Sequence, residues 1–209
     1  GFDRDELESE VGVLRSWRLT EGVVDSLALT VEVKKPSGIR GETLEVVAVG
    51  NPEWEGKLTL RHEGEGGYSV RVKEPRNPRR TLDPVRTGEA IEIEGYQLRL
   101  SPELLADPPE NIRINILLRY QVVDDLRDDL DIRRQEIGSR LVDISHTIPD
   151  RKMAAEIVNT LVAEYTVYKT QTEQTEAQFT VRELRDEVAA YAEQLVLAEE
   201  ELRSYQEEN

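Results

Sequence analysis

Pro149-Asp-Arg-Lys-Met-Ala-Ala-Glu-Ile-Val-Asn-Thr-Leu-Val-Ala-Glu-Tyr165 opens the part of the sequence on which the rest depends. From Arg151 to Asn209 neither proline nor glycine interrupts a run of 59 residues. A helix of that length spans about 90 Å at ~1.5 Å per residue. Asp150 is placed to cap it, because its carboxylate can accept from the unpaired amides of the first turn. Upstream, 140–145 reads as a strand and 146–150 as a turn. Within the helix, Leu184, Val188, Tyr191, Leu195, Ala198, Leu202 and Tyr205 repeat at alternating spacings of four and three, a narrow heptad seam between charged faces. Such a seam calls for another helix. Ile157, Val158, Leu161, Tyr165 and Tyr168 form a broader stripe suited to a globular base. Between the two lie Thr170, Thr172, Thr175 and Thr180, weak helix formers, and the environment is expected to change there.

The whole chain, 209 residues, has room for one domain or one and a half. Apolar residues make up 38% and charged residues 33%, enough for a modest core. A net charge of −16 argues against nucleic acid and against an anionic membrane surface, and it equally disfavours tight adhesion to an acidic polymer. The lack of cysteine excludes disulfides, thiol catalysis and zinc–thiolate sites. No segment has the length and apolarity of a membrane span. Gly1 and a sole methionine at Met153 point to an excised or processed piece, whose parent carries the anchors elsewhere.

Outward from the long helix, the order is α+β. Asp3 and Glu6 have capping-box spacing, and two short helices are expected over about 3–15 and 17–28. Pro36, Gly38 and Gly41 mark a linker. Alternating segments follow at 43–49, 57–62, 67–73, 89–94 and 96–100, with a hairpin loop at 63–67 and a tighter turn at Glu94-Gly95. The proline-rich stretch 74–84, with Arg76, Arg79 and Arg80, reads as a loop. Residues 112–120 alternate most cleanly and predict a strand, 122–130 a short acidic helix.

The chain holds few candidate reactive groups. It lacks a phosphate-binding glycine loop and a nucleophile elbow. His62 and His146 read as boundary residues. The acidic run Asp124–Asp131 lacks the spacing, central glycine and terminal glutamate of an EF-hand loop. Trp17 is expected to plug the junction of the first two helices and Trp54 to stand exposed. A carboxylate-pair glycan enzyme would find acids anywhere, and no feature selects a pair. No cofactor, metal or catalytic residue is expected.

Three stretches together carry a resemblance. Glu8-Ser-Glu-Val-Gly-Val-Leu-Arg-Ser16 with Thr20–Leu29, then Gly138–Ser145 with Pro149–Tyr165, then Glu199-Glu-Glu-Leu-Arg-Ser-Tyr-Gln-Glu-Glu-Asn209, resemble the bacterial polysaccharide co-polymerases. This is the Wzz chain-length-determinant superfamily, with its GumC-like export proteins and Wzc-type tyrosine autokinases. The likeness covers 6–29 and 110–209, and Arg15, Ser16, Asp150, Asn159 and Tyr165 fall on its pattern. Pro149-Asp150 reverses the family's usual order, and the strand that ordinarily precedes the first helix is missing. The resemblance implies a small α/β base domain (1–35 plus 110–168), an inserted antiparallel β module (36–109), and a long C-terminal helix leading into a coiled coil (169–209). It further implies a periplasmic scaffold of an inner-membrane protein that forms homo-oligomers. Such a scaffold governs chain length or export of an exopolysaccharide, capsule or O-antigen, beside a polymerase or an outer-membrane channel. Any kinase activity would lie in a cytoplasmic part outside this chain. A coiled-coil adaptor of an efflux or secretion system is the alternative.

Overall fold

The computed structural model describes residues 2–208 apart from 37–39, 66, 76, 78, 135–140 and 149; for 2–7 and 196–208 it describes the backbone alone. The chain divides into two units, Gly1–Glu164 and Tyr165–Asn209. The fold is α+β with antiparallel sheets and a long C-terminal helix.

The first unit begins with α1 (Phe2–Leu14) and α2 (Trp17–Ser26). Ser16 in extended geometry ends one and starts the other, its hydroxyl accepting from the Leu19 amide. Then come β1 (Val31–Lys35), the one-turn α3 (Arg40–Thr43), β2 (Leu44–Ala48), β3 (Gly56–Gly64), β4 (Gly67–Lys73), β5 (Arg80–Arg86), β6 (Ala90–Ile93) and β7 (Tyr96–Leu100). A 3-10 turn at Pro102–Leu105 leads to β8 (Asn111–Ile116), α4 (Arg119–Asp129), β9 (Asp131–Arg134), β10 (Val142–Ser145) and α5 (Arg151–Glu208).

Strand order is β1-β8-β3-β4-β5 in the largest sheet, β2-β7-β6 in a second, and β10-β9 in a third. Alternation fixes which face is buried. Leu58 and Leu60, Val70 and Val72, and Ile112, Ile114 and Ile116 turn inward from the five-stranded sheet. They share one core with Leu44, Ile91, Ile93, Tyr96, Leu98 and Leu100 of the three-stranded sheet, a two-layer sandwich. β1 and β8, which flank segment 36–109, thus belong to the same sheet as β3, β4 and β5 from within it. The β6–β7 turn has positive φ at both Glu94 and Gly95, as a two-residue hairpin turn requires.

Several elements depart from the sequence expectations. Residues 80–86 form a strand where a loop is expected; β5 is a sheet edge, where Pro84 sacrifices no ladder bond. β8 stops at Ile116, and Tyr120 lies in α4, so the alternation of 117–120 carries no strand. Gly41 lies in α3 rather than a linker, while 37–39 fall outside the described residues. β9 pairs with β10, register Ile132 to Ile144, although its sequence reads as the end of an acidic run. The tryptophans exchange expected roles. Trp17 is exposed, and Trp54 lies against Gly56 and 6.2 Å from the Tyr96 ring.

Tyr68 and Tyr96 are fully buried, and burial pushes both phenols up from their ordinary value. An unfolded tyrosine ionises near pH ~10, whereas the folded chain keeps these protonated beyond it. The native state therefore holds more protons above that pH, and stability, complete below about 10, is lost as pH rises toward the folded values. The melting temperature should fall above pH ~10. Tyr68→Phe with Tyr96→Phe should flatten that fall in a calorimetric pH series, and an equal fall in the variant would refute the assignment.

Candidate functional site

The second unit is a single amphipathic helix. Leu184, Val188, Tyr191 and Leu195 are 55–66% exposed, and Val181 precedes them in phase at 48%. Backbone helix continues through Ala198, Leu202 and Tyr205, whose side chains lie outside the described residues. The threonines do not end the helix. Each of Thr170, Thr172, Thr175 and Thr180 donates its hydroxyl to the carbonyl four residues back, at 2.8–3.0 Å. In the first unit, by contrast, Ile157 and Leu161 of α5 are buried. There Gly22 of α2 leaves room for Glu164, whose carboxylate accepts from the Ser26 hydroxyl at 3.1 Å.

The residues singled out by the family pattern sit at helix junctions. Arg15 donates to the Ile132 carbonyl at 2.7 Å, joining α1 to β9. Ser16 caps α2, and Asp150 caps α5 by accepting from the Lys152 and Met153 amides at 2.9 and 3.1 Å. Asn159 is exposed. Tyr165 in the second unit has the Lys169 ammonium 5.9 Å from its ring. These side chains do not converge on one cavity.

Two arginines that the sequence does not advertise hold the first unit's helices. Arg119, first residue of α4, chelates Asp25 through two nitrogens and pairs with Glu21 at 2.8 Å, both on α2. The Asp25 hydrogen bond is the chief reason its pKa is raised. Arg40 donates to the carbonyls of Leu27 and Ala28, each at 2.7 Å, closing the C-terminal end of α2, and its burial lowers its pKa.

No constellation of reactive groups emerges among the described residues. His62 lies 5.2 Å from the Tyr68 ring, and His146 faces the Asp129 carbonyl at 3.4 Å. Within the acidic run, Asp124 pairs with Arg127. Among the described residues no group of three or more His, Asp or Glu side chains is arranged to hold a metal ion. Nor is any helix among them long and apolar enough to cross a membrane. Of the arginine loop, Arg76 lies outside the described residues, and Arg80 pairs with Glu74 and Glu94 at 3.2 and 3.0 Å.

The outer face of the five-stranded sheet is a second distinct surface. Register places Lys57 directly opposite Lys73 on one side and Asn115 on the other. The next outward row reads Thr81, Arg71, Thr59, Arg113 and Lys35, and the third Ser69, Arg61 and Asn111. At the Lys57 end the face dips into a depression of about 310 Å³ lined by Lys57, Lys73, Asn115, Glu55 and Glu74 among others. The face could be read only once the non-consecutive strand order was known.

No protein-family model and no curated protein matches this chain.

Proposed function

We propose that this chain is a scaffold module of the polysaccharide co-polymerase kind. It stands on the periplasmic side of a bacterial inner membrane and assembles with copies of itself to set the length or export of a surface polysaccharide. In this reading α1, α2, α4, the start of α5 and their small sheet form the base, the sandwich is inserted into it, and the helix beyond residue 168 enters a coiled coil. Its partners are further copies of the chain and a polymerase or export channel. Its work is assembly and shape, with no catalytic step of its own.

The observation that carries this reading is the exposed heptad row Leu184, Val188, Tyr191 and Leu195 on a helix that buries no face from 173 to 195. Four large apolar side chains in one line gain little from water and much from a facing helix, at roughly 25 cal/mol per Å² of apolar surface removed. The ordered sequence likeness supplies the biological context.

Sedimentation velocity tests the assembly. The chain should associate with rising concentration, and Leu184→Asp with Leu195→Asp should hold it monomeric with unchanged Trp fluorescence. In the parent polypeptide the same pair should alter the length distribution of the cell-surface polysaccharide on a gel. A strict monomer, together with an unaltered distribution, would overturn the proposal.

A further inference from the structure

We propose that the outer face of the five-stranded sheet binds a linear acidic polysaccharide, its carboxylates seated among Lys57, Lys73, Arg71 and Arg113. The starting point is a charge anomaly. The chain carries −16 overall, yet six exposed cations, Lys35, Lys57, Arg61, Arg71, Lys73 and Arg113, share one side of one sheet. None of the six forms an ion pair among the described residues, although acids outnumber bases 43 to 27 in the chain.

Lys57 and Lys73 stand directly opposite each other, a like-charge cross-strand arrangement that destabilises a sheet. They also line the 310 Å³ depression together with Asn115, Glu55 and Glu74, of which Glu74 is held by Arg80 at 3.2 Å, and an anionic group there can accept from both ammoniums. Arg71 and Arg113 lie two strands apart with Thr59 between, about 10 Å at ~4.8 Å per strand. Of the acids near this face, Glu32 pairs with Lys34 and Glu74 with Arg80, Glu55 lines the depression, Glu63 lies at the far end of β3, and Asp83 belongs to the bulged edge strand.

The neutral positions choose among polyanions. Thr59, Ser69, Thr81, Asn111 and Asn115 interleave the cations, offering hydroxyl and amide groups to a polymer that bears hydroxyls between its charges. No aromatic ring stands on these outward positions, so unstacked nucleobases have no platform. None of the exposed large apolar side chains belongs to this face, so a lipid surface gains no insertion. The net charge opposes every polyanion alike, the polysaccharide included. At physiological salt, fields fade over about 8 Å, so the local cations decide what binds at contact. This inference is independent of helix pairing.

Isothermal titration of the purified chain with polygalacturonate, against neutral dextran, tests it. Binding should weaken steeply with added salt. Lys57→Gln, Arg71→Gln, Lys73→Gln and Arg113→Gln together should weaken it on the order of tenfold or more. Lys152→Gln, Arg182→Gln and Arg185→Gln, away from the sheet, should leave it within about twofold. Removing the opposed lysine pair should not lower the melting temperature; should the fourfold variant fail to fold, Arg71→Gln with Arg113→Gln makes the comparison. Binding no better than dextran, or undiminished in the variant, overturns the proposal. So does equal or tighter binding of polyglutamate, a single-stranded oligonucleotide or phosphatidylglycerol vesicles. Salt-sensitive self-association abolished by the variant, without polygalacturonate binding, would assign the face to a second copy instead. The Leu184→Asp, Leu195→Asp chain should bind polygalacturonate like the unaltered one, so the two proposals fail separately.

Discussion

Gly50→Ala should destabilise the first unit by about 3–4 kcal/mol, near the top of what a single added methyl does. A Cβ at Gly50 would sit 2.3 Å from the Tyr96 amide nitrogen and 2.4 Å from the Glu94 carbonyl oxygen. Both are backbone, so no side chain can rotate away. The Glu94-Gly95 turn cannot yield either, because its two positive φ values set the β6–β7 hairpin, and Gly95 itself lies 3.2 Å from the Gly50 Cα when given a Cβ. Relief must come from moving the 50–51 chain, which breaks the Asn51 amide bond to the Glu94 carbonyl at 2.9 Å. With about 2–4 °C lost per kcal/mol in a unit of this size, the melting temperature should drop by roughly 10 °C. Gly12→Ala is the matched control. Nothing lies within 4 Å of its Cβ position, and it occupies a helix interior, so up to about 1 kcal/mol of stabilisation is expected there. A fall of equal size in both variants would show that the close approach at Gly50 is not what matters.

How much of this molecule the sequence discloses depends on how local each determinant is. The alternation in 57–62, 67–73 and 112–116 is local, and each of these became a strand of the sandwich. Glu94-Gly95 is local too, since positive φ at consecutive residues needs only those two side chains. The helix from Arg151 declares itself by what it lacks. Non-local determinants stay hidden. Nothing in residues 117–120 announces that the chain leaves its strand at Ile116, because Arg119 finds its acids 94 residues earlier on α2. β9 is concealed by the charged residues around Ile132 (Asp131 before it, Arg133 and Arg134 after), whose burial becomes visible only when Arg15 and β10 are in place. The cationic face is the extreme case. Lys57, Lys73 and Arg113 are unremarkable outward residues of three separate strands until β8 inserts between β1 and β3. The heptad seam is the converse, since its spacing is legible in the chain while its occupant belongs to another helix.

That asymmetry makes one pair of substitutions informative. Ile114→Ala should cost about 3–4 kcal/mol at any protein concentration. Ile114 is fully buried at the centre of β8, opposite Leu58 on one side and Val33 on the other, so the cavity left cannot collapse without pulling paired strands. Leu195→Ala deletes nearly the same apolar volume from a side chain that is 60% exposed. In the dilute chain its cost should stay within about 0.5 kcal/mol, as for other surface changes. Two probes keep the units apart. Trp17 and Trp54 both lie in the first unit, so their fluorescence follows the sandwich and its helices, while the far-ultraviolet helical signal is weighted toward α5. Ile114→Ala should lower the fluorescence transition alone or first. If a facing helix covers the seam, Leu195→Ala should lower the helical transition at high protein concentration and not at low, because a partner that binds only the folded helix stabilises it by mass action. A Leu195→Ala effect independent of concentration would place that side chain in contact within its own chain, and a null effect at every concentration would leave the seam without a partner.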